Sequence, residues 1–204
     1  MHVEVLLLIV AMTFAEGCIR LAKGPPDKHY FALEATRPAE ASASIARGVL
    51  KIRKFRISPP FEGAEIVYRT SETRYETDFY NEWFASPSAM VTQQLVSWLN
   101  HARLFRHVVD ASSSLEADYI LEGTVNALCA DLRLNGSPKA VLNIQIVLIK
   151  DSWTHEKVVF RREYREEVNV PDSSPDVLVG GWNRGLQHSL VTLEDDLHNA
   201  DVAW

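Results

Sequence analysis

The chain has 204 residues, 47% of them apolar and 24% charged, enough for one globular domain with a real core once a targeting segment is removed. That composition, with few glycines and prolines, excludes a disordered, collagen-like or low-complexity chain. The formal net charge of −6 excludes a nucleic-acid partner: phosphate binding needs a dense basic stripe, and here bases alternate with acids, as in Arg161-Arg162-Glu163 and Arg165-Glu166-Glu167.

The first element is the apolar run from Val5 through Leu6, Leu7, Leu8, Ile9 and Val10 to Met12. It is too short to cross a bilayer as a helix and has the length of a signal-peptide core. Small residues follow at Ala15 and Gly17, and then comes Cys18. A small residue directly before a cysteine, after an apolar run, resembles the lipobox of bacterial lipoproteins, whose cysteine is acylated and becomes the new N-terminus. Ala15 at −3, Glu16 at −2 and a Met1-His2-Val3-Glu4 start without Lys or Arg depart from that pattern. The reading is a lipoprotein-type signal peptide over 1–17 and a lipidated Cys18 on a breaker-rich tether over 18–29. The alternative is a buried apolar strand or helix opening the domain, with Cys18 an ordinary thiol.

Tyr30-Phe31-Ala32-Leu33 reads as a first strand, and 48–58 as a second, closed by Pro59-Pro60. Residues 64–70 and 74–79 read as a hairpin turning at Ser71-Glu72-Thr73. Ser86-Pro87 opens a helix, with an N-cap serine and proline at the first helical position; Met90, Val91, Leu95, Trp98, Leu99 and Ala102 line its core side. Three period-two strands follow over 118–130, 139–150 and 157–170, the signature of an antiparallel meander with one buried face. In them Leu121, Val125 and Cys129 share a face, as do Leu142, Ile144, Ile146 and Leu148, and Val158, Phe160, Tyr164 and Val168. Ser174-Pro175 starts a second helix with Leu178, Trp182, Leu186, Ser189, Leu193 and Leu197 on one side. The sum is an α+β fold: a two-layer domain over 30–198, its largely antiparallel sheet carrying two main helices on one face, with a tail at 199–204.

No catalytic constellation is legible. The seven histidines form no HExxH pair, and no G-x-S-x-G, Walker or G-x-G-x-x-G motif occurs. His188 and His198 beside Glu194, Asp195 and Asp196 read as exposed polar residues of a helix end and not as a metal site. Cys129 reads as a small buried thiol. The chain is therefore expected to be no enzyme, with no cofactor and no metal. Tyr75, Phe79, Tyr80 and Trp83 are aromatics in a polar setting, a pattern typical of interface anchors, and are the expected partner contacts. Phe79 and Trp83 packing beneath the first helix is the competing reading.

One order of motifs is distinctive: Tyr30-Phe31-Ala32-Leu33, then Ala117-Asp118-Tyr119-Ile120-Leu121-Glu122-Gly123, then Ala140-Val141-Leu142, then the strand up to Pro171 and a closing helix. Together with the lipobox it resembles the ABC-type transport auxiliary lipoprotein family, to which paraquat-inducible protein C belongs; the likeness covers roughly 14–198, with a long polar insert at 68–81. The resemblance implies a non-catalytic lipoprotein subunit of an Mce-type lipid transporter, acting by binding and assembly in the periplasm. Its implied partners are an Mce-domain periplasmic protein, the ABC permease and ATPase, and the membrane through the lipid anchor; self-association is a further option. Ile19, where inner-membrane retention commonly has Asp, implies the periplasmic face of the outer membrane. The alternative is an outer-membrane lipoprotein that activates a cell-wall synthase on a similar two-layer fold.

Overall fold

The structure is a computed structural model describing residues 27–38, 47–134, 136–152 and 155–199. The expected signal peptide, Cys18, most of the expected tether and all of the tail after Asn199 lie outside the described residues.

In chain order the elements are β1 His29–Phe31, β2 Arg47–Ile52, β3 Arg56–Ile57, a 3-10 turn at Pro59–Phe61, β4 Glu65–Arg69, β5 Tyr75–Trp83, α1 Pro87–Ala102, β6 Phe105–Asp110, β7 Tyr119–Asp131, β8 Lys139–Ser152, β9 His155–Asn169 and α2 Pro175–Asn199. The fold class is α+β, with one nine-stranded sheet and both helices on the same face. The meander β7–β8–β9 and the β4–β5 hairpin are antiparallel, as expected. Every junction of β2, β3 and β4 with β7 is parallel, however, and so are β1–β5 and β2–β6. The expected single strand over 48–58 is broken at 53–55, and β6, which pairs with β2, was not foreseen.

β7 is the spine. One edge runs along β8 from Tyr119↔Lys150 to Asp131↔Lys139. The other edge is served by three consecutive pieces of chain: β2 at Leu50↔Tyr119, β3 at Arg56↔Thr124 and β4 at Tyr68↔Ala130. Between β2 and β3 the chain folds Phe55 over Gly123. A Cβ at Gly123 would stand 2.4 Å from both the Phe55 ring and the Gln145 carbonyl oxygen, so only glycine fits there.

α1 ends at Arg103, whose φ of 54° is left-handed and stops the helix. Ser86 sits at its N-cap position, but its hydroxyl makes no cap bond. The expected stripes of both helices are buried, from Val91 and Leu99 on α1 to Leu178 and Leu197 on α2. Trp98 donates from Nε1 to Glu194 at 2.8 Å, and Trp182 shares its Nε1–H between the Val141 and Cys129 carbonyls at 3.1 and 3.3 Å. Gly181 and Gly185 let α2 approach β8 and β9: a Cβ at Gly181 would stand 2.7 Å from that of Ala140.

Two strand bulges overturn expected faces. The β7–β8 register shifts between Val125 and Ala127, so Leu128 and Ala130 face the helices while Cys129 lies on the opposite side, opposite Val141. Cys129 is buried, but not among the helix-facing residues. A second shift pairs Leu148 with Phe160 and Ile149 with Val158, which turns Val158 out to 57% exposure. Each added residue reverses the side-chain alternation beyond it, because that period is two.

Trp98→Ala and Trp182→Ala are each expected to destabilise the protein by about 3–5 kcal/mol. Gly123→Ala should cost about 1–3 kcal/mol by overpacking against Phe55 and the β8 backbone. Denaturant unfolding checks both, and a Gly123→Ala change within about 0.5 kcal/mol of wild type would contradict this role for the glycine.

Candidate functional site

The surface feature most clearly built for contact lies on β5. Glu65 of β4 faces Glu82, but Val67 faces Thr77, so β5 runs five residues while β4 runs two. The surplus is gathered into a bulge over 78–81, and one carboxylate holds it. Asp78 Oδ1 accepts the backbone N–H groups of Tyr80 and Asn81 at 2.9 and 3.1 Å, an Asx-turn. Its Oδ2 accepts the Tyr68 hydroxyl at 2.8 Å and the Asn81 side-chain amide at 2.9 Å. Burial pushes the Asp78 carboxyl up, but these donors together outweigh burial and leave it below the ordinary carboxylate value. Tyr68 moves the other way: burial and the neighbouring carboxylate hold its hydroxyl protonated.

The consequence is a fixed presentation of two rings. Phe79 and Tyr80 are 60% and 53% exposed and meet edge to face at 5.2 Å. The bulge lies against β1, where the chain arrives from the tether: Lys28 is ion-paired with Glu82, and its ammonium stands 5.2 Å from the centre of the Phe79 ring. Tyr30 and Phe84, both exposed, flank the same strand pair, with Tyr30 opposite Glu82 and the Phe84 amide bonded to the Phe31 carbonyl at 2.7 Å.

Of the expected contact residues, Phe79 and Tyr80 are therefore together on an exposed bulge. Trp83 is not a contact residue: it is 4% exposed and packs edge-on against Trp182 at 5.3 Å, because the strand has rejoined the sheet there. Tyr75 belongs to another feature. Its ring lies 6.2 Å from Phe61 and 5.7 Å from the Arg69 guanidinium, over a cleft of about 100 Å³ on the side of the sheet away from the helices. Cys129, Asn143 and Arg165 also line this cleft. Burial, with the nearby Asp131 carboxylate, pushes the Cys129 thiol up to about 11, so it stays protonated at neutral pH. Phe84 belongs to the same run of aromatics in the sequence, whereas Lys28 and Tyr30 lie outside the sequence reading of the patch. The signal that would have found them is the nearness of the first strand to the tether.

The acids near the end of α2 are structural. Glu194 accepts the Trp98 indole and a two-pronged Arg37 guanidinium, at 3.0 Å from Nε and 2.7 Å from Nη2, and so ties the segment after β1 to both helices. Burial raises its carboxyl and these two donors lower it further, for a net fall. Asp196 pairs with Arg162 and accepts the Tyr164 hydroxyl at 2.7 Å. These partners correct the reading of Glu194 and Asp196 as free surface acids. Among the described residues no group of three or more His, Cys, Asp or Glu side chains could hold a metal ion, and no helix is long and apolar enough to cross a membrane.

The family of ABC-type transport auxiliary lipoprotein components matches residues 31–193. No curated protein matches the chain. Among solved structures, a protein from Xanthomonas campestris superposes with a TM-score of 0.70 at 15% identity, covering 81% of this chain and 92% of that one. An uncharacterized protein follows with 0.64 at 18% identity over 84% and 99% of the two chains. A Chlamydia trachomatis protein gives 0.51 at 7% identity over 74% and 98%. At these identities the likeness is one of fold.

Asp78→Ala leaves the Tyr68 hydroxyl, the Asn81 amide and two backbone N–H groups without their acceptor. It is expected to cost about 1–3 kcal/mol and to speed amide exchange at Tyr80 and Asn81. Because the folded-state pKa of Asp78 is depressed, its contribution is complete above the unfolded value of about 3.9 and is lost as pH falls through the folded value. The stability gap between wild type and Asp78→Ala should therefore be full at neutral pH and shrink in acid below about pH 4. A gap independent of pH over that range would contradict the carboxylate's role.

Proposed function

The chain belongs to the family of ABC-type transport auxiliary lipoprotein components, and from this we infer a non-catalytic, membrane-anchored subunit of an Mce-type lipid-transport system. It is anchored through an acylated Cys18 at the periplasmic face of the outer membrane, with Ile19 and not Asp after the cysteine. It acts by binding and assembly, alongside an ABC permease, an ATPase and an Mce-domain protein that bridges the periplasm.

The observation that carries this reading is the extent of the family match. It begins at the last residue of β1 and ends within α2, so it takes in β2 to β9, all of α1 and most of α2. The chemistry of the described side chains supports a binding role. The thiol of Cys129 is buried and protonated. Asp78, Glu194 and Asp131, carboxylates with lowered pKa, are each committed to bonds that hold the fold together. A group that must give or take a proton during turnover is poorly served by such commitments.

The test is affinity purification of the tagged full-length protein from detergent-solubilised membranes. The expected eluate contains the Mce-domain protein and, after cross-linking, the permease and ATPase. Cys18→Ser should abolish fatty-acid labelling and move the protein to the soluble fraction. A wild-type eluate lacking all three partners would contradict the transport reading, and unchanged membrane retention of Cys18→Ser would contradict the anchor.

A further inference from the structure

The Asp78 bulge is rigid, exposed and apolar at its tip, and it sits where the tether reaches the folded domain. Nine residues lie between Cys18 and Lys28, and the ten fully extended steps from one to the other span at most about 35 Å. Lys28 is itself fastened to the patch through Glu82 and lies against the Phe79 ring. A chain held in a bilayer at Cys18 therefore keeps these rings within about that distance of the lipid surface.

We propose that the Phe79–Tyr80 bulge, with Tyr30, Phe84 and Lys28, docks into the headgroup–acyl boundary of the membrane and orients the domain with its β1–β5 edge toward the lipid. This rests on the anchored reading above. Three observations favour lipid over a protein partner. The first is area: four rings of about 150–250 Å² each, a little over half exposed, offer roughly 400–600 Å², short of the ~800 Å² per side of a stable protein interface. The second is composition: two Phe, two Tyr and a lysine combine apolar bodies with polar tips, the chemistry of an interfacial belt. The third is charge. Glu82 is paired with Lys28 and Asp78 is engaged by four donors, so these two acids are satisfied within the protein, and Glu65, opposite Glu82, also lies near the Lys28 ammonium. With a net charge of −6, the chain is not drawn to anionic lipid as a whole, and docking is apolar and largely indifferent to salt.

The experiment places an environment-sensitive fluorophore at Tyr80→Cys, or at Val158→Cys as the distant exposed control on β9; buried Cys129 does not compete for label. The mature lipidated protein is reconstituted into vesicles of phosphatidylethanolamine and phosphatidylglycerol doped with a nitroxide lipid quencher. In a second preparation the same chain carries Cys18→Ser and an N-terminal histidine tag held by a nickel-chelating lipid, so the tether is kept without acylation. Failure of Cys18 to take up fatty acid then counts against the anchor alone, and the second preparation still tests the bulge. The expected result is a blue-shifted emission at Tyr80→Cys with quenching about twofold or more above that at Val158→Cys, unchanged by added salt. Equal quenching at the two positions overturns the proposal. So does an emission at Tyr80→Cys that shifts only when purified Mce-domain protein is added, which assigns the bulge to a protein partner.

Discussion

Everything in this domain hangs on β7 being hydrogen-bonded along both edges. On one side it runs with β8 in a long antiparallel ladder broken by the bulge between Val125 and Ala127. On the other it is lined by three short successive stretches, β2, β3 and β4, which travel beside it in the same direction. Where β7 is paired on both edges its backbone groups are satisfied within the sheet, and between β3 and β4 its Cys129 carbonyl accepts from the Trp182 indole. β7 can therefore carry two wings, β6 on β2 and the β5–β1 pair on β4. Gly123 at its middle admits the Phe55 ring, and the same ring marks where β2 breaks into β3. The aromatic bulge exists because β4 must keep pace with β7 while β5 need not.

Much of the fold was legible where the helix-facing apolar residues keep a single period. Leu142, Ile144, Ile146 and Leu148 alternate without interruption, and the Leu178, Trp182, Leu186, Leu193 and Leu197 stripe follows helical spacing, so burial and sequence period agree. The misplacements share one cause. An extra residue in a strand leaves no mark in composition, yet it reverses the side-chain alternation beyond it: that is why Cys129 and Val158 were assigned to the wrong face. β6 escaped because its buried residues, Phe105 and Val108, are three apart and not two. Of the candidate contact surface, the aromatics were visible and their division was not. Trp83 in the core, Tyr75 over the cleft and Phe79–Tyr80 in solvent follow from a bulge that only the Asp78 hydrogen bonds reveal. Glu194 and Asp196 were seen as an acidic run; which acid turns inward depends on Arg37, Trp98, Arg162 and Tyr164 arriving from far away in the chain.

The chemistry that remains is that of a platform. The carboxylates with depressed pKa hold loops, indoles and guanidinium groups in place, and the described thiol is buried at the cleft that Phe61 and Tyr75 also line. Among the described residues β9 pairs with β8 alone, and it is crowded with Arg161, Arg162, Glu163, Arg165, Glu166 and Glu167, which discourages edge-to-edge pairing with other strands. A domain so protected at one side, with fixed aromatic rings at the other, is suited to being held at a surface in a set orientation. In the family of ABC-type transport auxiliary lipoprotein components, the proposed orientation would set which face of the domain is left for a partner.

On the proposed reading, function depends on the rings of the Asp78 bulge. The most direct test is lipid transfer between membranes in cells carrying the full-length gene with Phe79→Ser and Tyr80→Ser together, compared with Val158→Ser. The account predicts that the bulge variant loses transfer while its melting temperature and abundance match wild type, and that Val158→Ser transports normally. Undiminished transfer by a folded, normally abundant bulge variant would contradict it.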